Sequence, residues 1–205
     1  MYKGLFSSLL MCRIIAVSPH IMITASSCLQ IIILESGVFM ATRPIGAFRI
    51  KNFLRASIII LFPALVGLLS GLISKDATVA LYEVLKRPPL SPPAFLFPIV
   101  WGVLYILSGI ASYLVIRKGW EKPEVKDAMQ SFWFWLALSF VWPIVFFNFR
   151  TPLLAFIILI VMWIFVGITT VKFYRISKPA AYLMIPLWLW TTFAAYLNLG
   201  IVLLN

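Results

Sequence analysis

The sequence predicts an all-α membrane protein, a bundle of five transmembrane helices with a long proline-rich loop between the first and the second. Three observations predict it. Of the 205 residues, 63% are hydrophobic and only 11% are charged, whereas soluble domains are about half apolar and a quarter charged. Five apolar runs are each long enough to cross a bilayer, which takes about 20 predominantly apolar residues. The basic residues, which give a formal net charge of +11, fall between those runs. In a soluble chain that charge would point to nucleic acid. Here it reads as topology signals and contacts to anionic lipid headgroups, and no nucleic-acid partner is expected.

The runs follow in order after an unlike beginning. Residues 1–39 hold an uncharged stretch, 14–34, diluted by Ser18, Pro19, His20, Thr24, Ser26, Ser27 and Gln30. It is marginal as a span. A signal peptide with Lys3 and Arg13 as its basic region, and a start nearer Met40, are the other readings. The expectation is an extension outside the fold, with the five-helix domain at 40–205. The first span, 56–74, carries Pro63 as an expected kink and a Gly67-x-x-x-Gly71 pattern. Small residues at that spacing let membrane helices approach closely, so both glycines are candidates for a helix contact or a dimer interface. The loop 75–96 is expected to begin with a short helix around 78–85. Pro88, Pro89, Pro92 and Pro93 then keep residues 86–93 out of a helix, because proline lacks a donor and extends its predecessor. The second span is 98–116, with Pro98 in its first turn. The third is 128–149 with a kink at Pro143, the fourth 151–171, and the fifth 179–205 with Pro186 inside. Charge orients them. With the N-terminus cytoplasmic, thirteen basic residues lie inside and four (Lys75, Lys86, Arg87, Arg150) outside. A sixth span at 14–34 would spoil that to eleven against six, so the positive-inside rule favours five.

The chemistry open to such a chain is narrow. Cys12, Cys28 and His20 are the only thiols and imidazole, and all lie in the first thirty residues. The helical domain therefore has no Cys/His zinc site, no cysteine nucleophile, no Ser-His-Asp triad and no His-ligated haem. The six acidic residues lie outside the apolar runs, which argues against carboxylate relays or metal clusters at membrane depth. No metal and no cofactor is expected. Eight tryptophans remain the unusual feature. Trp120 fits an interfacial belt. Others fall on shared helix faces: Trp101, Tyr105, Ser108 and Ser112 on the second span, Trp135, Ser139, Trp142 and Phe146 on the third, and Trp190, Ala194, Leu197 and Asn198 on the fifth. Phe97, Trp101 and Tyr105 line the helix mouth beneath the proline loop. The loop is either a lid over a cavity or a stiff connector. The faces are either a pocket for a large, flat, mostly apolar ligand or ordinary aromatic packing.

Four motifs in order then give the chain a resemblance. Tyr82-Glu-Val-Leu85-Lys-Arg87-Pro88 followed by Pro92-Pro93 is similar to a WYxxLxKP pattern. Phe97-Pro-Ile-Val100-Trp101-Gly-Val-Leu104-Tyr105 is similar to FxPVWTxLY, and Trp142-Pro-Ile-Val-Phe146-Phe147 to WSxxFF. Pro186-Leu-Trp-Leu-Trp190-Thr-Thr-Phe193-Ala194-Ala-Tyr-Leu197-Asn198 is similar to PYxxWxxFAxxLN. Over residues 55–205 the chain resembles the tryptophan-rich sensory protein / translocator protein family (TspO/MBR), also called the peripheral-type benzodiazepine receptor family. The resemblance implies a five-helix bundle in a bacterial cell membrane, a homodimer, and a ligand cavity closed by the first loop. It implies that Tyr82, Trp101, Trp190 and Ala194 line that cavity. It further implies porphyrin or another hydrophobic small molecule as partner, beside membrane lipid. Leu81 stands where the family has Trp, and Trp135 and Ser139 stand where it has amides. Fewer amides then face the carboxylates of a tetrapyrrole, with Lys86 and Arg87 at the mouth as substitutes.

Three functions follow as expectations. The leading one is a receptor or sensor for tetrapyrrole-like ligands. The second is light-dependent porphyrin breakdown, with Trp101 and Trp190 as the candidate catalytic pair. The third is a small-molecule or lipid transporter, against which the lack of intramembrane charge and of an internal repeat argues.

Overall fold

No proline lies between Pro63 and Pro88, and the chain answers with one helix, α1 (Ile45–Val84), of 40 residues. At 1.5 Å per residue it is roughly 60 Å long, about twice the hydrocarbon thickness of a bilayer. The separate short helix expected around 78–85 is therefore corrected: those residues are the last turns of α1. The Thr78 hydroxyl donates to the Ser74 carbonyl at 2.7 Å, and the Leu85 N–H to Leu81 at 3.1 Å. Helical bonding thus continues until the Pro88-Pro89 pair stops it. Its membrane-length apolar part is Phe53–Leu81.

The structure, a computed structural model, describes the backbone from residue 45 and side chains from residue 53, those of Tyr82 and Glu83 excepted. The expectations for residues 1–39 and for the Tyr82 side chain fall outside the described residues. Residues Ile50–Asn205 form one compact unit. After α1 come α2 (Leu96–Ile116), α3 (Pro123–Pro143), a single π-helical segment (Ile144–Asn148), α4 (Pro152–Ile176) and α5 (Lys178–Leu204). Among the described residues five helices are long and apolar enough to cross a membrane, so the chain is a multi-pass integral membrane protein. All regular structure among the described residues is helical.

The helix ends follow local chemistry. Pro98 sits in the first turn of α2, and Pro123, Pro152 and Pro179 open α3, α4 and α5, positions where a missing N–H costs nothing. The third span does not run on as plain α-helix. After Pro143 the backbone widens into the π segment, with the Phe149 N–H bonding the Ile144 carbonyl at 3.1 Å. Arg150, at φ 53°, turns the chain in left-handed geometry. The Thr151 N–H and hydroxyl both donate to Val145, at 3.3 and 3.2 Å, and close the connection.

Contacts place the helices in a ring, α1–α2–α5–α4–α3 and back to α1. The α1–α2 crossing is close. A Cβ on Gly109 would collide with the Ile60 carbonyl, and one on Gly67 with the Tyr105 ring. Gly67 thus serves a contact within the chain. On the other side of α1, the Ser70 hydroxyl donates to the Phe140 carbonyl at 2.7 Å, and Asn148 Nδ2 to the Ile73 carbonyl at 3.3 Å. Packing is graded along the bundle. Far from the proline loop, Val115, Val125, Phe132, Met162 and Phe173 are wholly buried. There Lys172 also reaches from α4 to the Asp127 carboxylate (2.8 Å) and the Ser131 hydroxyl (2.8 Å) of α3.

Candidate functional site

The aromatic faces converge at the other end, beneath the proline loop. The spacing of Phe97, Trp101 and Tyr105 stacks them along one side of α2. Trp101 stands 5.5 Å from Tyr105 and 6.5 Å from Trp142 of α3, ring to ring, tilted at 31° and 32°. Trp142 continues the wall to Phe146 at 5.5 Å. From α5, Trp190 meets Phe97 edge-on at 6.0 Å and Phe193 at 5.5 Å. Three helices thus supply aromatic rings at this end, in one group across α2 and α3 and one across α2 and α5; edge-on and offset arrangements of this kind are the favoured ones. Trp101 and Trp190 are half-buried and pack against the core.

Tyr105, Trp142, Phe146, Ala194 and Leu197 keep 4–8% exposure here, whereas Val115, Val125, Phe132 and Phe173 at the far end keep none. Of the predicted residues, Trp101, Tyr105, Trp142 and Phe146 come together as one set of rings and Phe97 and Trp190 as a second, with Ala194 and Leu197 buried on the same side of α5 as Trp190. Trp135 stands apart. It sits two turns deeper on α3 than Trp142, wholly buried and edge-on to Phe132 at 5.2 Å.

The polar groups are mostly committed to the protein. Ser108, Ser112 and Ser139 donate to the carbonyls of Tyr105, Gly109 and Leu136 in their own helices, at 2.8, 2.8 and 2.7 Å, the usual fate of a hydroxyl inside an apolar helix. Asn198 of α5 is buried, and its amide bonds Trp142, Pro152 and Phe156. The Trp190 indole N–H is buried and has no partner. What these rings offer is aromatic surface and one unpartnered indole donor.

The loop is fastened to α5. Pro88 packs on Gly200, where a Cβ would stand 2.6 Å from the proline ring. The Tyr196 hydroxyl donates to the Pro89 carbonyl at 3.0 Å. The Asn205 amide accepts from the Lys86 N–H and donates to the Lys86 carbonyl, both at 3.0 Å. Leu90, at φ 66°, turns the chain between these anchors, and the Ser91 hydroxyl donates back to the Pro88 carbonyl at 2.7 Å. Sequence reasoning missed Phe147, Phe193 and this fastening. Phe147 and Phe193 neighbour predicted residues in aromatic-rich stretches. Asn205 and Tyr196 had only their polarity at the end of an apolar run to mark them.

Comparison with known proteins agrees with this architecture. Residues 59–204 match the model of the TspO/MBR family. Tryptophan-rich protein TspO of Chlorobaculum tepidum is 40% identical over 124 residues, 60% of this chain and 78% of that protein. Its namesake from Archaeoglobus fulgidus is 34% identical over 155 residues, 75% of this chain and 99% of its own length. The translocator protein of Bos taurus is 30% identical over 139 residues, 67% and 82% of the two chains. A family match over most of the helical domain, on a five-helix bundle with its aromatics gathered under a proline loop, has one meaning: the chain belongs to the TspO/MBR family.

Proposed function

We propose that this chain is a membrane receptor or sensor for a flat, largely apolar ligand of the tetrapyrrole class, held between α2, α3 and α5 with the proline loop as its cover. The observation that carries this reading is the ring set itself. Trp101 and Trp190 are half-buried, packed inward on Trp142 and Phe97, and enclosed by side chains that retain a few per cent exposure. Ligand sites are commonly apolar and aromatic with a few placed polar groups. Here the unpartnered Trp190 N–H supplies one such group, and exposed Lys86 and Arg87 on the loop supply positive charge for carboxylates at the rim. The names of relatives, translocator protein and tryptophan-rich sensory protein, accord with small-molecule handling. Positive charge gathered at the end away from the loop favours a cytoplasmic N-terminus and an outward-facing loop. The working assembly of this reading is a homodimer.

Titration with protoporphyrin IX tests it. Saturable quenching of tryptophan fluorescence, weakened in Trp101→Phe and Trp190→Phe, is the expected result. No saturable quenching, or variants indistinguishable from the unmodified chain, refutes it. The same titration under illumination separates binding from chemistry, because a binder bleaches the porphyrin only at the background rate.

A further inference from the structure

We propose that Asn198 is a positioning residue. It fixes the direction of the Trp142 indole, and through it the wall that Trp101 completes, without touching ligand itself. This rests on the ligand-binding reading above.

The amide has one orientation that satisfies both of its ends. Nδ2 donates to the Pro152 carbonyl at 3.0 Å, and Oδ1 accepts from the Trp142 indole N–H and the Phe156 N–H, each at 3.2 Å. Turned the other way, the oxygen would face a carbonyl and the nitrogen two donors. An amide oxygen has two lone pairs, and both are taken. Asn198 is 2% exposed and has no acceptor left to offer a ligand. Its partners explain what it does instead. Pro152 and Phe156 are four residues apart in the first turn of α4, so the side chain of α5 spans one rung of the neighbouring helix. Trp142 belongs to α3. One amide therefore sets three helices against each other at the loop end.

Trp142 needs such an anchor. It directly precedes Pro143 and the π segment Ile144–Asn148, where the backbone leaves regular α geometry. Helix register alone does not settle where its ring points. The other buried indoles without partners, Trp135, Trp188 and Trp190, lie within plain helix. With its N–H held, Trp142 lies tilted, at 32° to Trp101 and 30° to Phe146. A freed ring would present an edge where a flat ligand needs a face.

The experiment uses the full chain in lipid nanodiscs, with 15N-indole tryptophan and protoporphyrin IX as probe. The Trp142 indole resonance is identified by its loss in Trp142→Phe. Asn198→Ala is expected to move that resonance upfield and to raise the porphyrin Kd by about tenfold, the size of coupling found between side chains in contact. Trp142→Phe should weaken binding comparably, and the double variant should be no weaker than the weaker single. Asn198→Asp keeps the accepting oxygen. It should hold the indole resonance and bind within about twofold of the unmodified chain, even where its thermal stability falls. A loss of stability alone would not produce that split. An unmoved indole resonance in Asn198→Ala, additive losses in the double variant, or an Asn198→Asp variant as weak as Asn198→Ala would overturn the proposal. If Asn198→Ala does not fold, Asn198→Asp decides by itself. If the unmodified chain binds no porphyrin, the ligand reading falls, and the hold of Asn198 on Trp142 is judged on the indole resonance alone.

Discussion

At the scale of single residues, the aromatic rings and the serines played different parts. Spacing along each helix was enough to group Trp101 with Tyr105 and Trp142 with Phe146, because an α-helix returns to the same face every three or four residues. It could not say which face met which. That Phe97 would stand edge-on to Trp190, and Trp101 tilted at 32° to Trp142, depends on how helices are rotated against one another. Nor could spacing tell a lining residue from a filler. Trp135 shares a face with Trp142 yet lies wholly buried beside Phe132. The serines looked like cavity donors, but Ser108, Ser112 and Ser139 bond their own helices. Their removal should therefore change ligand affinity little. Ser108→Ala is expected to bind protoporphyrin within about twofold of the unmodified chain, since its hydroxyl is spent on the Tyr105 carbonyl. A larger loss in titration would place that hydroxyl on the ligand.

At the scale of elements, the spans were legible and their joints were not. Hydropathy located all five helices because membrane-length apolar runs have few alternatives. The end of α1 was misjudged because Lys75 and Asp76 mark an interface on a polarity scale, while nothing in the backbone chemistry stops the helix before Pro88. The π segment after Pro143 was read only as a kink. Closest approach is where an element is most sensitive. Gly109 lies against the Ile60 backbone, so Gly109→Leu should destabilise the α1–α2 crossing by about 1–3 kcal/mol, the usual cost of overpacking. Thermal unfolding in detergent measures it, and an unchanged midpoint would contradict the crossing. The loop has its own sensitive point at Gly200. Gly200→Leu should expel Pro88 and loosen the loop, while the bonds from Tyr196 and Asn205 are strained or lost. Hydrogen exchange should then rise in residues 86–95 and not in α4. Equal exchange in both chains would mean that the fastening does not hold the loop.

At the scale of the whole molecule, composition decided the environment, and contacts decided the arrangement. A chain that is 63% hydrophobic has to meet lipid with most of its surface, and α1 shows this by leaving Leu61, Leu65, Leu68 and Leu72 exposed. The ring order α1–α2–α5–α4–α3 could not be read from hydropathy, which is blind to neighbours. Small residues at crossings carry part of that information, as Gly67 against Tyr105 shows, but only once the partner is known. Orientation rests on charge alone. With Cys12 and Cys28 replaced by serine, a cysteine at Lys118 should label only from the cytoplasmic side and one at Arg150 only from outside. The reverse pattern would invert the proposed topology. The central claim is that rings from three helices form one ligand site under the loop. Its most direct test is the affinity of protoporphyrin IX for the unmodified chain, Trp101→Phe and Trp190→Phe, read by fluorescence in nanodiscs. Saturable binding weakened roughly two- to tenfold by each substitution is predicted, the span that about 0.5–1.5 kcal/mol per aromatic contact gives. Binding that never saturates, or equal affinity in all three proteins, would contradict it.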